Sequence, residues 1–95
     1  MLQQAYKEGP DRISHHHTLG WNLIKAERWA EADLSFQEVI ALSLARDEVY
    51  YLDDARYRRA LCLKAMRRRA ELEKVRAELP DNFYNGWLYR IEDIS

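Results

Sequence analysis

Three consecutive histidines, His15-His16-His17, are the first residues in the chain that suggest chemistry, because imidazole is the commonest protein metal ligand. Neighbours on a helix point about 100° apart, so three in a row cannot face one ion. No His or Cys stands four residues away to complete a pair, and the His-Glu-x-x-His pattern is absent. The expectation is that His16 or His17 packs between helices and that His15 is solvated. Cys62, the only cysteine, has no nucleophile signature around it and sits in an apolar stretch, which predicts a buried, inert thiol. The adjacent acids Asp53-Asp54 and Glu92-Asp93 read as cap positions or solvated faces. A glycine-rich phosphate loop, a Gly-x-Ser-x-Gly elbow and a nucleotide fingerprint are all missing. No catalytic residue, metal site or cofactor is expected, and the chain does not read as an enzyme.

Charge is more informative in its distribution than in its sum. The 95 residues hold 15 Lys and Arg against 16 Asp and Glu, a net −1. Nine of those bases (Arg56, Arg58, Arg59, Lys64, Arg67, Arg68, Arg69, Lys74 and Arg76) fall between positions 55 and 76, opposed only by Glu71 and Glu73. That segment carries +7 and the rest of the chain −8. Arginine favours bidentate contact with carboxylates and phosphates. The acidic remainder can also pair with it inside the fold or across a dimer. A nucleic-acid binder is typically basic overall, whereas the isoelectric point here is near 6.3. A protein-facing role is therefore favoured over nucleic acid.

The elements that must position these residues read as helices. Three Gly and two Pro leave little material for sheet turns, and no stretch alternates apolar with polar residues. Residues 1–8 form at most a frayed turn before Gly9-Pro10. Asp11 then caps a helix marked by Ile13, His17, Gly20 and Ile24. A turn without a breaker follows at 25–28. Trp29, Ala32, Phe36, Val39, Ile40 and Ser43 give the clearest helical periodicity in the chain. Asp47 is expected to cap a third helix over 48–66, apolar on more than one side and so sandwiched between neighbours. A fourth runs over 70–79, with Leu72, Val75 and Leu79 inward, until Pro80 stops it. Phe83, Trp87, Leu88, Ile91 and Ile94 suggest a terminal helix over 81–94, although Gly86 lies inside it and residues 87–91 also read as extended chain. With 47% hydrophobic residues the chain is too apolar for a disordered tail, and at 33% charged it is too polar for a membrane span. A single domain, an unpaired cysteine and no recognisable leader fit a cytoplasmic protein.

This order of elements resembles the tetratricopeptide repeat, a pair of antiparallel helices about 34 residues long. Leu19-Gly20 matches the Leu-Gly pair of the first repeat helix, Trp29 the aromatic at the turn, Ala32 the small residue of the second helix, and Phe36 and Val39 its packing positions. Gly20 would let the two helices approach closely. His16, Leu23 and Glu27 depart from the family's Trp, Tyr and Gly. A degraded second copy follows: Tyr57, Ala60 and Leu63 resemble a first helix, and Leu72, Val75, Leu79 and Pro80-Asp81 the end of a second. Its spacing implies an insertion near 44–54 and a compressed turn at 67–69. The expected fold is all-α, antiparallel hairpins in a short solenoid or a bundle of four to five helices, with hairpins at 11–45 and 47–80 and a capping helix at 81–95.

The resemblance implies a non-enzymatic module that binds a protein or peptide, an acidic one by its charge, with nucleic acid or a small regulatory inhibitor or chaperone role as the alternative. Partner-binding candidates are Asn22, Arg56, Tyr57, Arg59, Lys64, Arg67 and Arg68. Charge reversal at Arg56 and Arg59 is expected to weaken binding without loss of helix. Two copies and a cap would leave an apolar helix face open to a partner, a second copy or further repeats.

Overall fold

The computed structural model describes residues 11–84 and 88–95, apart from the side chain of Asp11; expectations for residues 1–8 and for Trp87 lie outside that range. Among the described residues there is no strand, and the fold is all-helical. Helix α1 spans Asp11–Lys25, α2 Trp29–Arg46, α3 Leu52–Ala65 and α4 Arg69–Glu78, followed by 3₁₀ turns at Asp81–Phe83 and Ile91–Ile94.

Three helices end on a residue in the left-handed region, and none of the three is glycine: Glu27 (φ 59°), Asp47 (φ 54°) and Arg67 (φ 60°). Each end is closed by the same pair of backbone bonds. After α1, Arg28 N–H donates to the Leu23 carbonyl and Glu27 N–H to that of Ile24, both at 2.9 Å. After α3, Arg68 N–H donates to Leu63 at 2.9 Å and Arg67 N–H to Lys64 at 3.0 Å. The following residues also agree, Arg28 at φ −94°, ψ 72° and Arg68 at φ −93°, ψ 74°. Each of these arginines reaches forward three residues to a glutamate at 2.6 Å, Arg28 to Glu31 and Arg68 to Glu71. The second turn is therefore not compressed. The two hairpins turn alike at positions 27 and 67, and the second falls short because α4 has 10 residues where α2 has 18.

Asp47 does not cap the third helix. It closes α2, with Glu48 N–H on the Ser43 carbonyl at 2.9 Å, and α3 begins only at Leu52 after an exposed link through Val49 and Tyr50. Nor do the described residues after Pro80 continue as an α-helix. Leu79 and Tyr84 are extended (ψ 131° and 132°), and so is Arg90 (ψ 125°). Arg90 keeps that conformation because the Tyr57 hydroxyl serves both of its backbone groups, donating to its carbonyl at 3.2 Å and accepting from its N–H at 3.1 Å.

Helix α3 is sandwiched, as its all-round apolarity predicts. Ala55 and Cys62 face Ile13, Ala32, Phe36 and Val39 of the first hairpin. Tyr57, Ala60 and Leu63 face Leu72 and Val75 of α4 and Leu79 just beyond its end, with Ile94 of the tail closing that cluster. Gly20 is the contact that sets the first hairpin's spacing. A Cβ there would stand 2.8 Å from the Phe36 ring, closer than carbon atoms tolerate.

Candidate binding surface

The titratable groups singled out from the sequence fall into three places, and two of them are structural. The first centres on Asp54. Its carboxylate meets His17 Nε2 at 2.5 Å, the Tyr89 hydroxyl at 2.5 Å and Arg58 Nε at 3.2 Å, joining α1, α3 and the tail at one point. His17 also lies against the rings of Tyr51 and Phe36, while His15 is exposed and His16 half-buried. Burial raises the Asp54 pKa, but the bonds from His17 and Tyr89 and the charge of Arg58 outweigh it and leave the carboxyl below its usual range. Burial and the bond to Asp54 push the Tyr89 phenol up to about 12. Arg58 is held from its other side by Trp21, whose ring lies 3.9 Å away. Cys62 is buried without a disulfide, and burial with the nearby Asp33 charge lifts its thiol to about 12, far from a reactive thiolate. No group of three His, Cys, Asp or Glu that could hold a metal occurs among the described residues.

The second place is the inner half of the basic segment. Arg59 Nε lies 2.8 Å from Asp33, a carboxylate on α2 with only 3% of the residue exposed, and its guanidinium also reaches Glu71 on α4 at 3.7 Å. Gln37 donates to the other Asp33 oxygen at 2.8 Å. One side chain of α3 thus ties both flanking helices. Arg56 pairs with Asp53 at 3.2 Å and approaches Glu78 at 4.0 Å. Tyr57, 2% exposed, belongs to the core and to the Arg90 clamp. These three candidates are engaged within the fold, so charge reversal at Arg56 and Arg59 sets like charges against Asp53, Glu78 and Asp33 and acts on the fold as well as on any partner. Asn22 is exposed on α1 and stands apart from the surface described next.

The third place brings the remaining candidates together. Lys64, Arg67 and Arg68, joined by Arg69, line a depression of about 360 Å³ at the turn between α3 and α4, with Leu63 and Leu72 behind them. All four are exposed and cationic, and no acid shares the lining. Arg68 is held by Glu71 at 2.6 Å, Arg69 approaches Glu73 at 4.0 Å, and Lys64 donates to the Glu92 carbonyl at 3.3 Å. Arg67 makes no side-chain hydrogen bond or ion pair with a described residue. Arg69, outside the candidates drawn from the sequence, completes the Arg67–Arg69 run here. The Asp54 junction joins residues more than thirty positions apart in the chain, and no local pattern could have indicated it.

Compared with protein-family descriptions, with curated proteins and with solved structures, the chain matches none of them. Among the described residues, no helix is long and apolar enough to cross a membrane.

Proposed function

We propose that this chain is a non-enzymatic protein-interaction module of paired helical hairpins, similar in plan to tetratricopeptide repeats, that engages an acidic protein or peptide through the end of its second hairpin. The observation that carries this reading is the depression at 64–69, where four exposed cations converge while Arg56, Tyr57 and Arg59 are engaged within the fold. The repeat-like plan draws support from the two like turns at Glu27 and Arg67 and from Gly20 seated on Phe36. Like charges gathered on one turn repel one another, and an anionic partner relieves that repulsion. A cytoplasmic setting suits a lone reduced cysteine.

The test is affinity capture with the wild-type chain and with a Lys64→Glu/Arg69→Glu variant. Both side chains are exposed, so helix content by circular dichroism should be unchanged. A partner retained by the wild type and lost by the variant supports the reading. Equal retention by both overturns it.

A further inference from the structure

We infer that the depression at the second turn is a carboxylate-recognition site in which Arg67 takes the acidic side chain of a partner segment, an inference that rests on the interaction-module reading and specifies its chemistry. Three of the four cations lining the depression already have a contact. Arg68 is fixed on Glu71 at 2.6 Å, Arg69 stands 4.0 Å from Glu73, and Lys64 is turned to the Glu92 carbonyl at 3.3 Å. Among these four, Arg67 alone makes neither a side-chain hydrogen bond nor an ion pair with a described residue, and Arg69 has no more than its 4.0 Å approach to Glu73. A guanidinium presents two parallel N–H donors to a carboxylate, which makes it the natural centre of such a site.

The surroundings favour a carboxylate on a short peptide over the phosphates of a nucleic acid. Nucleic-acid surfaces spread their cations along a face or stripe that follows the backbone. Here four cations gather at one turn, and beyond it on α4 Lys74 and Arg76 alternate with Glu71, Glu73 and Glu78. Glu71 and Glu73 stand beside them on α4, and the chain outside residues 55–76 carries −8. A polyphosphate running beyond the depression would meet carboxylates, whereas a peptide needs to place only one or two acids there.

The backbone at Arg67 allows a test that separates recognition from folding. In the left-handed region glycine is the least strained residue, so Arg67→Gly should relieve the turn while removing the guanidinium. Glu27→Gly relieves the matching first turn without touching the depression and is the control. The experiment measures fluorescence anisotropy of a fluorescein-labelled Glu/Asp peptide, with a labelled single-stranded oligodeoxynucleotide as competitor probe, and melts each variant. The expected result is a higher melting temperature for both variants, with peptide affinity falling about tenfold for Arg67→Gly alone, the equivalent of losing one charge-assisted pair.

Peptide affinity unchanged in Arg67→Gly overturns the inference, as does tighter binding of the oligodeoxynucleotide than of the peptide. The two levels of the account fail separately. If Lys64→Glu/Arg69→Glu loses its captured partner while Arg67→Gly keeps its peptide affinity, the module reading stands and the role given to Arg67 falls. If neither variant changes any binding, both fall.

Discussion

Replacing Arg59 with alanine tests whether the inner half of the basic segment is architecture. The guanidinium sits 2.8 Å from Asp33, whose carboxylate is nearly solvent-free. Removing one partner of a buried pair leaves the other charged and desolvated, a loss of about 3–5 kcal/mol in fully buried cases. Arg59 itself is about a fifth exposed, and Gln37 continues to donate to Asp33, so the loss falls below that range, at about 2–3 kcal/mol. For a domain of this size that corresponds to a fall in melting temperature of about 10–20 °C. Urea denaturation followed by far-ultraviolet circular dichroism reads the change directly. The double variant Asp33→Asn/Arg59→Ala, which removes the stranded charge, should recover part of the loss. If Arg59→Ala lost less than about 0.5 kcal/mol, the level of a surface pair, the assignment of Arg59 to the fold would be wrong.

Gly20→Ala gains about 1 kcal/mol of helix propensity but forces a methyl group against the Phe36 ring, so a net loss of about 1–2 kcal/mol is expected in denaturant titration, relieved by Phe36→Leu. Cys62 should react with a thiol reagent only as the protein unfolds, and fast labelling in buffer at neutral pH would contradict its burial. The Asp54 pKa is depressed in the folded chain, so its contribution is present above the unfolded value of 3.8 and is lost as pH falls through the lower folded value. Tyr89 has the opposite sign: its folded pKa of about 12 exceeds the ordinary phenol value of about 10, and its contribution is lost as pH climbs from about 10 to about 12. Melting temperature measured against pH should show a weaker acid dependence in Asp54→Asn and a weaker alkaline dependence in Tyr89→Phe, the remainder of the latter belonging to Tyr57, Cys62 and Tyr84, whose values are also raised.

What the sequence disclosed followed from local periodicity and small residues. Trp29 to Ser43 announced α2, and Gly20 with Ala32 marked the close approach of the first pair, because helical spacing and small side chains are visible along the chain itself. The helix ends were harder to read. Glu27, Asp47 and Arg67 terminate helices by a left-handed residue that is not glycine, so the usual mark of a C-terminal cap is absent, and Asp47 resembles the start of a helix as readily as the end of one. The tail was ambiguous for a related reason, readable as helix or, over 87–91, as extended chain. Phe83, Ile91 and Ile94 have helical spacing, yet Pro80 and the Tyr57 clamp on Arg90 hold the described residues in extended and 3₁₀ conformations. The basic segment was legible as charge and illegible as geometry. Separating Arg59, which spans three helices, from Arg67, which reaches none of them, required knowing that Asp33 and Glu71 flank α3.

The most direct test of the central claim is the change in backbone amide shifts when an acidic peptide is titrated into the protein in an ¹⁵N-resolved NMR experiment. The account predicts saturable shifts concentrated on the turn from Leu63 to Leu72, with the amides around Asp33, Asp54 and Gly20 unmoved. Shifts centred on α1, or none at any peptide concentration, would contradict it.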